Sequence, residues 1–284
     1  MYIEFGILLF LFISGLCIGS FLNVVIYRVP LSLINSKGDA YNIAWPPSHC
    51  TNCKNKILKR DNIPVLSWFL LKGKCRFCGS VISSRYPIIE LITGLCFSVT
   101  GLWMLDLLNQ QPLVVISVLF LFSVLLCLTV IDLDHLLLPD SLVFTLLWTG
   151  LLAATFEISP VHLKDAVIGV CGTWLFLTVI TYLFTVIRNK EGLGGGDVKL
   201  ISALSAWVGW YYIPALLVFS SVIGFILFFI AKRKMEFSSD TERTLYYVVP
   251  FGPAISLTAF FIYLSSINKV NFIDGVYEYF LLFL

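Results

Sequence analysis

The chain has 284 residues, 58% of them hydrophobic and 13% charged, with 24 Phe, 12 Tyr, 7 Trp and a formal net charge of +2. A soluble domain carries about 25% charged residues, so this composition excludes a water-soluble globule and a disordered chain. What remains is an all-α polytopic membrane protein.

Apolar runs long enough to cross a bilayer give about eight expected transmembrane helices, at 4–27, 87–107, 113–131, 137–157, 166–187, 198–211, 213–231 and 249–267. The chain therefore divides into a first transmembrane helix (1–27), a polar segment (28–86) and a multi-span region (87–284). Met1–Ser20 carries no Lys or Arg, and Arg28 follows the apolar run. That pattern predicts a retained first span with its N-terminus outward, not a cleaved secretory signal.

Basic residues set the orientation. Segment 28–86 holds Arg28, Lys37, Lys54, Lys56, Lys59, Arg60, Lys72, Lys74, Arg76 and Arg85. Arg188, Lys190 and Lys199 follow span five, and Lys232, Arg233, Lys234 and Arg243 precede the last span. Even numbers of crossings separate these regions, so 17 of the 19 basic residues share one side, leaving Lys164 and Lys269 opposite. Residues 28–86 are thus expected in the cytosol and both termini outside. The apolar tail Val270–Leu284, with Asp274 and Glu278 embedded, is expected along the outer interface. No internal repeat or heptad stands out.

Cys50-Thr-Asn-Cys53 and Cys75-Arg-Phe-Cys78 are two CxxC pairs 21 residues apart in the cytosolic segment. Each turn brings two thiolates to one ion, and two turns complete a four-sulfur tetrahedral shell, closed to water and therefore structural. Gly79 suits the sharp turn of such a zinc knuckle. Disulfide pairing is disfavoured on a reducing side, and His49 is not needed as a fifth candidate ligand. Cys17, Cys96, Cys127 and Cys171 lie in spans and read as core filler.

Two acidic sites sit at the cytosolic ends of spans. One is Ile131-Asp132-Leu-Asp134-His135-Leu-Leu-Leu-Pro139-Asp140; the other is Glu191-Gly192-Leu-Gly194-Gly195-Gly196-Asp197-Val-Lys199. A single such Asp is more often a solvated loop carboxylate. Here both follow odd-numbered spans, which places them at one depth and on one face, and a glycine run lets a substrate chain approach closely. Two adjacent carboxylates do not both ionise readily, so one activates water while the other polarises a peptide carbonyl. Asp132 and Asp134 point about 200° apart on a continuing helix, so only one of them can face Asp197; spacing does not choose between them.

Gly194-Gly195-Gly196-Asp197 is a GxGD motif, and together with Asp132 to Asp140 it resembles the type IV prepilin peptidases, a branch of the GxGD aspartyl proteases. Gly19-Ser-Phe-Leu-Asn23 through Arg28-Val-Pro30, Asn62-Ile-Pro-Val-Leu-Ser-Trp68, Gly73-Lys-Cys-Arg76, Ser84-Arg85-Tyr-Pro87-Ile-Ile-Glu90 and Pro250-Phe-Gly252-Pro253 are similar to further signatures of that family. The likeness extends over residues 19–253. It implies an inner-membrane enzyme that removes the leader of prepilins and pseudopilins after a glycine, at the cytosolic face. In the long-form branch marked by the tetracysteine segment, it also implies methylation of the new N-terminal amine with S-adenosylmethionine. By the same resemblance the catalytic pair is Asp132 and Asp197, with Asp134 supporting or merely solvated. The expected partners are prepilins or pseudopilins and the lipid bilayer, and no nucleic acid.

No Gly-rich strand–turn–helix fingerprint marks a methyl-donor site, so no donor-binding residue is named. Glu90 is a candidate intramembrane carboxylate or an ion-pair partner near Arg85. Trp45, Trp68 and Lys199 read as interface anchors or a snorkelling cation. The alternatives are a peptidase without methylation, a secondary transporter and a non-catalytic scaffold. A transporter would place polar groups near the bilayer midplane, whereas these acids cluster at one surface.

Overall fold

Ten α-helices form the described part of the chain, which in this computed structural model comprises residues 2–34, 43–45, 47–190, 192–236 and 250–267. They are α1 (Tyr2–Ile34), α2 (Leu66–Leu70), α3 (Arg85–Trp103), α4 (Leu105–Gln110), α5 (Pro112–His135), α6 (Asp140–Thr155), α7 (Leu163–Arg188), α8 (Gly195–Val208), α9 (Ile213–Glu236) and α10 (Gly252–Ile267). Lys37, Glu191, Arg243, Lys269, Asp274, Glu278 and the tail 270–284 lie outside the described residues. Of Lys232, Arg233 and Lys234 only the backbone is described.

Eight of these helices correspond to the expected spans. α1, α3, α5, α7 and α9, the last with its leading turn from Trp210, are long and apolar enough to cross a bilayer. α6, α8 and α10 are shorter, at 16, 14 and 16 residues. Fourteen residues make a helix of about 21 Å, well short of a hydrocarbon layer of about 30 Å. The expected end of span one is overrun: α1 continues through Arg28 and Pro30 to Ile34. Span six is shifted toward the N-terminus, because α8 starts behind its N-cap Gly194 and ends at Gly209 (φ +81°). Asp197 therefore lies inside the first turn of α8.

The chain forms two compact units, Met1–Ser123 and Val124–Leu284. In the first, α1 lies along α3 through small residues. A Cβ added to Gly15 would sit 2.8 Å from Gly94 Cα, and one added to Gly19 would sit 2.8 Å from Glu90 Cα. This is the close backbone approach by which a G-x-x-x-G stripe joins membrane helices. Asn23 Nδ2 donates to the Tyr86 carbonyl at 3.1 Å across the same pair.

In the second unit α8 is the buried element: Val198 and every residue from Leu200 to Val208 are buried. α6, α7 and α10 pack on it. Trp207 Nε1 donates to the Leu146 carbonyl at 2.8 Å, and its ring meets Tyr263 edge-on at 5.4 Å. Gly150 leaves room for the indole, since a Cβ there would come within 2.7 Å of Nε1. The outer helices instead expose Trp174, Leu175, Ile187, Phe225 and Ile230. Such large apolar faces suit lipid and not water.

Candidate active site and metal centre

Two similar turns carry the four cysteines. Lys54 N–H donates to the Cys50 carbonyl at 3.0 Å, and Gly79 N–H donates to the Cys75 carbonyl at 2.9 Å. Cys50 N–H reaches the Asn55 carbonyl at 2.9 Å, and Cys75 N–H reaches the Ser80 carbonyl at 2.8 Å. Bridges His49–Lys56 and Lys74–Val81 close the two turns in the same way. Each turn places its fifth residue in the left-handed region, Gly79 at φ +69° and Lys54 at φ +59°. Glycine adopts that conformation without steric cost, and Lys54 adopts it under the same ring of hydrogen bonds. The two CxxC pairs of the sequence thus become two matching turns, closed almost entirely by backbone bonds.

The four Sγ atoms lie within 4.8 Å of one another, and Cys50 and Cys78 are 3.8 Å apart. Zinc–sulfur bonds of about 2.3 Å in a tetrahedron place sulfurs about 3.8 Å apart, so the residues fit that ion. The sulfurs are unbridged. Backbone N–H groups aim at them: Cys53 N–H, against some desolvation, brings the Cys50 thiol down to about 6. The Ser80 hydroxyl and N–H lower Cys78. At Cys53 the Asn55 N–H acts downward, but desolvation and the neighbouring sulfurs prevail and push the thiol up to about 11. Four crowded sulfurs resist full ionisation together, and a bound divalent cation removes that resistance.

The segment between the knuckles is tied to its surroundings. Arg76 makes a bidentate ion pair with Asp61, its Nε at 2.7 Å. Ser67 Oγ accepts from Ile63 N–H at 2.9 Å and donates to the Arg60 carbonyl at 3.2 Å. Trp68 Nε1 donates to the Ile82 carbonyl at 3.1 Å. Trp68 is thereby fixed as a scaffold residue of this segment. Val65 has φ +62°, costly for a β-branched residue. Its N–H donates to Glu90 Oε2 at 2.7 Å, so this carboxylate stitches the cysteine segment to α3.

The two aspartates sit in the second unit. Asp132 occupies the last turn of α5 and is 5% exposed, whereas Asp134, two residues on, is exposed. The end of α5 thus faces Asp132 inward and Asp134 outward. α5 ends where Leu136 turns left-handed (φ +54°) and its N–H caps the Asp132 carbonyl at 2.9 Å. Asp132 Oδ2 accepts the Gly252 N–H at 2.8 Å, at the first residue of α10. The free N–H groups of a helix start form an anion site. A Cβ on Gly252 would stand 2.7 Å from Oδ2, so a side chain there would displace the carboxylate.

Asp197 lies in the first turn of α8, half-buried, where its carboxylate meets the Gly194 backbone and is an electrostatic neighbour of Asp132. The three glycines before it differ. A Cβ on Gly194 would approach Asp197 Oδ2 to 3.1 Å, and one on Gly196 would approach Leu138 to 3.3 Å. A Cβ on Gly195 would meet nothing within 4 Å. Leu138 also stands 3.2 Å from a Cβ position on Gly252, so the first turns of α8 and α10 meet at this side chain. Lys199 pairs with Asp140 at 2.8 Å and so ties α8 to α6. The holding of Asp132 by α10 had no local signal, because the donor is a backbone N–H 120 residues away.

Comparison with known proteins gives two family matches. Residues 13–104 match the bacterial peptidase A24 N-terminal domain, and residues 119–229 match the type IV leader peptidase family. A prepilin leader peptidase/N-methyltransferase of Pectobacterium carotovorum subsp. carotovorum is 39% identical over 264 residues, covering 88% of this chain and 90% of the relative. One of the same name from Klebsiella pneumoniae is 44% identical over 214 residues, 75% of this chain and 90% of the relative. The type 4 prepilin-like proteins leader peptide-processing enzyme of Escherichia coli O78:H11 is 39% identical over 256 residues, 86% and 89% of the two chains. No solved structure matches the chain.

Proposed function

The chain belongs to the type IV leader peptidase family, and from that premise we propose that it removes the leader peptide of type IV prepilins or pseudopilins and N-methylates the residue so exposed. What supports the peptidase reading is that Asp132, held by the α10 N-terminus, and Asp197, in the first turn of α8, are electrostatic neighbours where both helix starts meet Leu138. One carboxylate takes a proton from water as that water adds to the scissile carbonyl carbon. The other gives a proton to the carbonyl oxygen. Collapse of the tetrahedral intermediate breaks the C–N bond, and the departing nitrogen receives a proton from the dyad. The backbone N–H of Gly252 orients Asp132, and Gly194 and Gly196 leave room for the Asp197 carboxylate and for Leu138. Asp134 supports the pair or is merely solvated.

A prepilin offers a basic leader followed by an apolar helix, so its scissile bond lies at the cytosolic surface of the inner membrane. The short helix α8 suits that depth, with Asp197 at its entrance. The four cysteines 50, 53, 75 and 78 hold a structural zinc, with no coordination position left for water. S-adenosylmethionine supplies the methyl group. The orientation that follows from the basic residues puts both termini in the periplasm and segment 28–86 in the cytosol.

Incubation of detergent-solubilised enzyme with a prepilin tests the reading. Asp132→Asn and Asp197→Asn are each expected to lower the cleavage rate at least 100-fold at unchanged protein abundance, in keeping with general acid–base contributions of about 10²–10⁴. Asp134→Asn is expected to retain cleavage. Wild-type rates from either dyad variant would overturn the assignment.

A further inference from the structure

A cavity of about 400 Å³ lies wholly within the first unit, between the cysteine turns and the ends of α1 and α3. The aspartate chemistry makes no use of it. Its size falls within the range of about 300–1,000 Å³ common for small-molecule sites. Arg28, Glu90 and Asn23 line it and are 6%, 7% and 7% exposed, so it contains both signs of charge away from bulk water. Backbone holds each ion: Arg28 Nη1 donates to the Ile43 carbonyl at 3.1 Å, and Glu90 accepts from Val65 at 2.7 Å. Tyr27, Trp68 and Tyr86 add aromatic walls.

Buried opposite charges beside aromatic rings exclude several occupants. An acyl chain would offer the polar side chains of the lining no hydrogen bond. A polyphosphate would suit Arg28 but repel Glu90. A zwitterion with a further cationic centre and a flat heterocycle suits Arg28, Glu90 and the rings together: its carboxylate pairs with a guanidinium, its cations face a carboxylate and aromatic faces, and its ring stacks. S-adenosylmethionine has those parts. We propose that this cavity is the methyl-donor site, with Arg28 binding the donor carboxylate and Glu90 facing its cationic groups. The assignment rests on the proposed methylation. In that transfer the lone pair of the neutral N-terminal amine forms the new C–N bond while the C–S pair stays on sulfur. The positive charge passes to nitrogen, and S-adenosylhomocysteine leaves as a neutral thioether at its sulfur.

Binding of S-adenosylhomocysteine to the purified full-length protein, measured by titration calorimetry, tests this without turnover. Arg28→Gln is expected to weaken binding at least tenfold, and Val24→Trp, which fills the cavity, to remove it. Prepilin cleavage by the aspartates of the other unit serves as the check that each variant folds. Wild-type affinity in both variants would overturn the cavity assignment and leave bifunctionality standing. A wild-type protein that neither binds the thioether nor methylates a cleaved pilin would overturn bifunctionality itself. Should either variant lose cleavage, photolabelling of wild type with an azido-adenosyl donor decides. Labelled peptides from 20–28 or 48–90 support the site, and labels confined to 124–267 overturn it.

Discussion

The carboxylate of Asp132 receives its hydrogen bond from the backbone of Gly252, 2.8 Å away and 120 residues later in the chain. α10 therefore begins at a catalytic candidate, and the space for that contact exists only because residue 252 lacks a side chain. Gly252→Ala places a methyl group 2.7 Å from Oδ2, so the carboxylate must move. Displacement of a reacting group by about 1 Å costs on the order of 100-fold in rate. Prepilin cleavage by Gly252→Ala is expected to fall by that amount, with the chain still inserted in the membrane.

The glycine run before Asp197 makes a sharper test, because its members differ. Gly195→Ala meets open space and is expected to keep cleavage within about twofold, alanine being the better helix former. Gly196→Ala presses on Leu138 at 3.3 Å and so disturbs the contact shared by α8 and α10. Its cleavage rate is expected to drop clearly below that of Gly195→Ala under the same assay.

Loss of one sulfur should release the metal. Cys75→Ser is expected to lower bound zinc from about one ion per chain to near none, read by elemental analysis of purified protein. Structural zinc contributes an apparent 10–16 kcal/mol to small domains, roughly, so residues 47–84 should become sensitive to limited proteolysis. Acidification should act the same way on wild type, because each thiolate must take up a proton as the metal leaves.

Trp207 joins three helices: it donates to Leu146 in α6 from α8 and meets Tyr263 of α10 edge-on. Trp207→Phe removes the donor and part of the ring while keeping an aromatic group. A loss of about 1–3 kcal/mol is expected, measured as a lower midpoint of thermal unfolding in detergent. The dyad is expected to survive below that midpoint.

Composition and spacing were sufficient for the helical membrane architecture, the eight apolar elements and the four-sulfur cluster. Burial of an apolar run and closure of a CxxC turn are local matters, decided by residues a few positions apart. The pairing of Asp132 with Asp197 was an inference from motif and topology, and the choice of Asp132 over Asp134 rested on resemblance. In the structure one helix turns Asp132 inward and Asp134 out. Tertiary structure alone decided the rest: the Gly252 donor, the Leu138 contact, the Lys199–Asp140 pair, the Glu90 anchor on a strained Val65, and the charged cavity. Each of these depends on backbone groups or small residues from distant segments, which carry no local periodicity. A missing side chain has meaning only once the neighbouring helix is in place to fill the space.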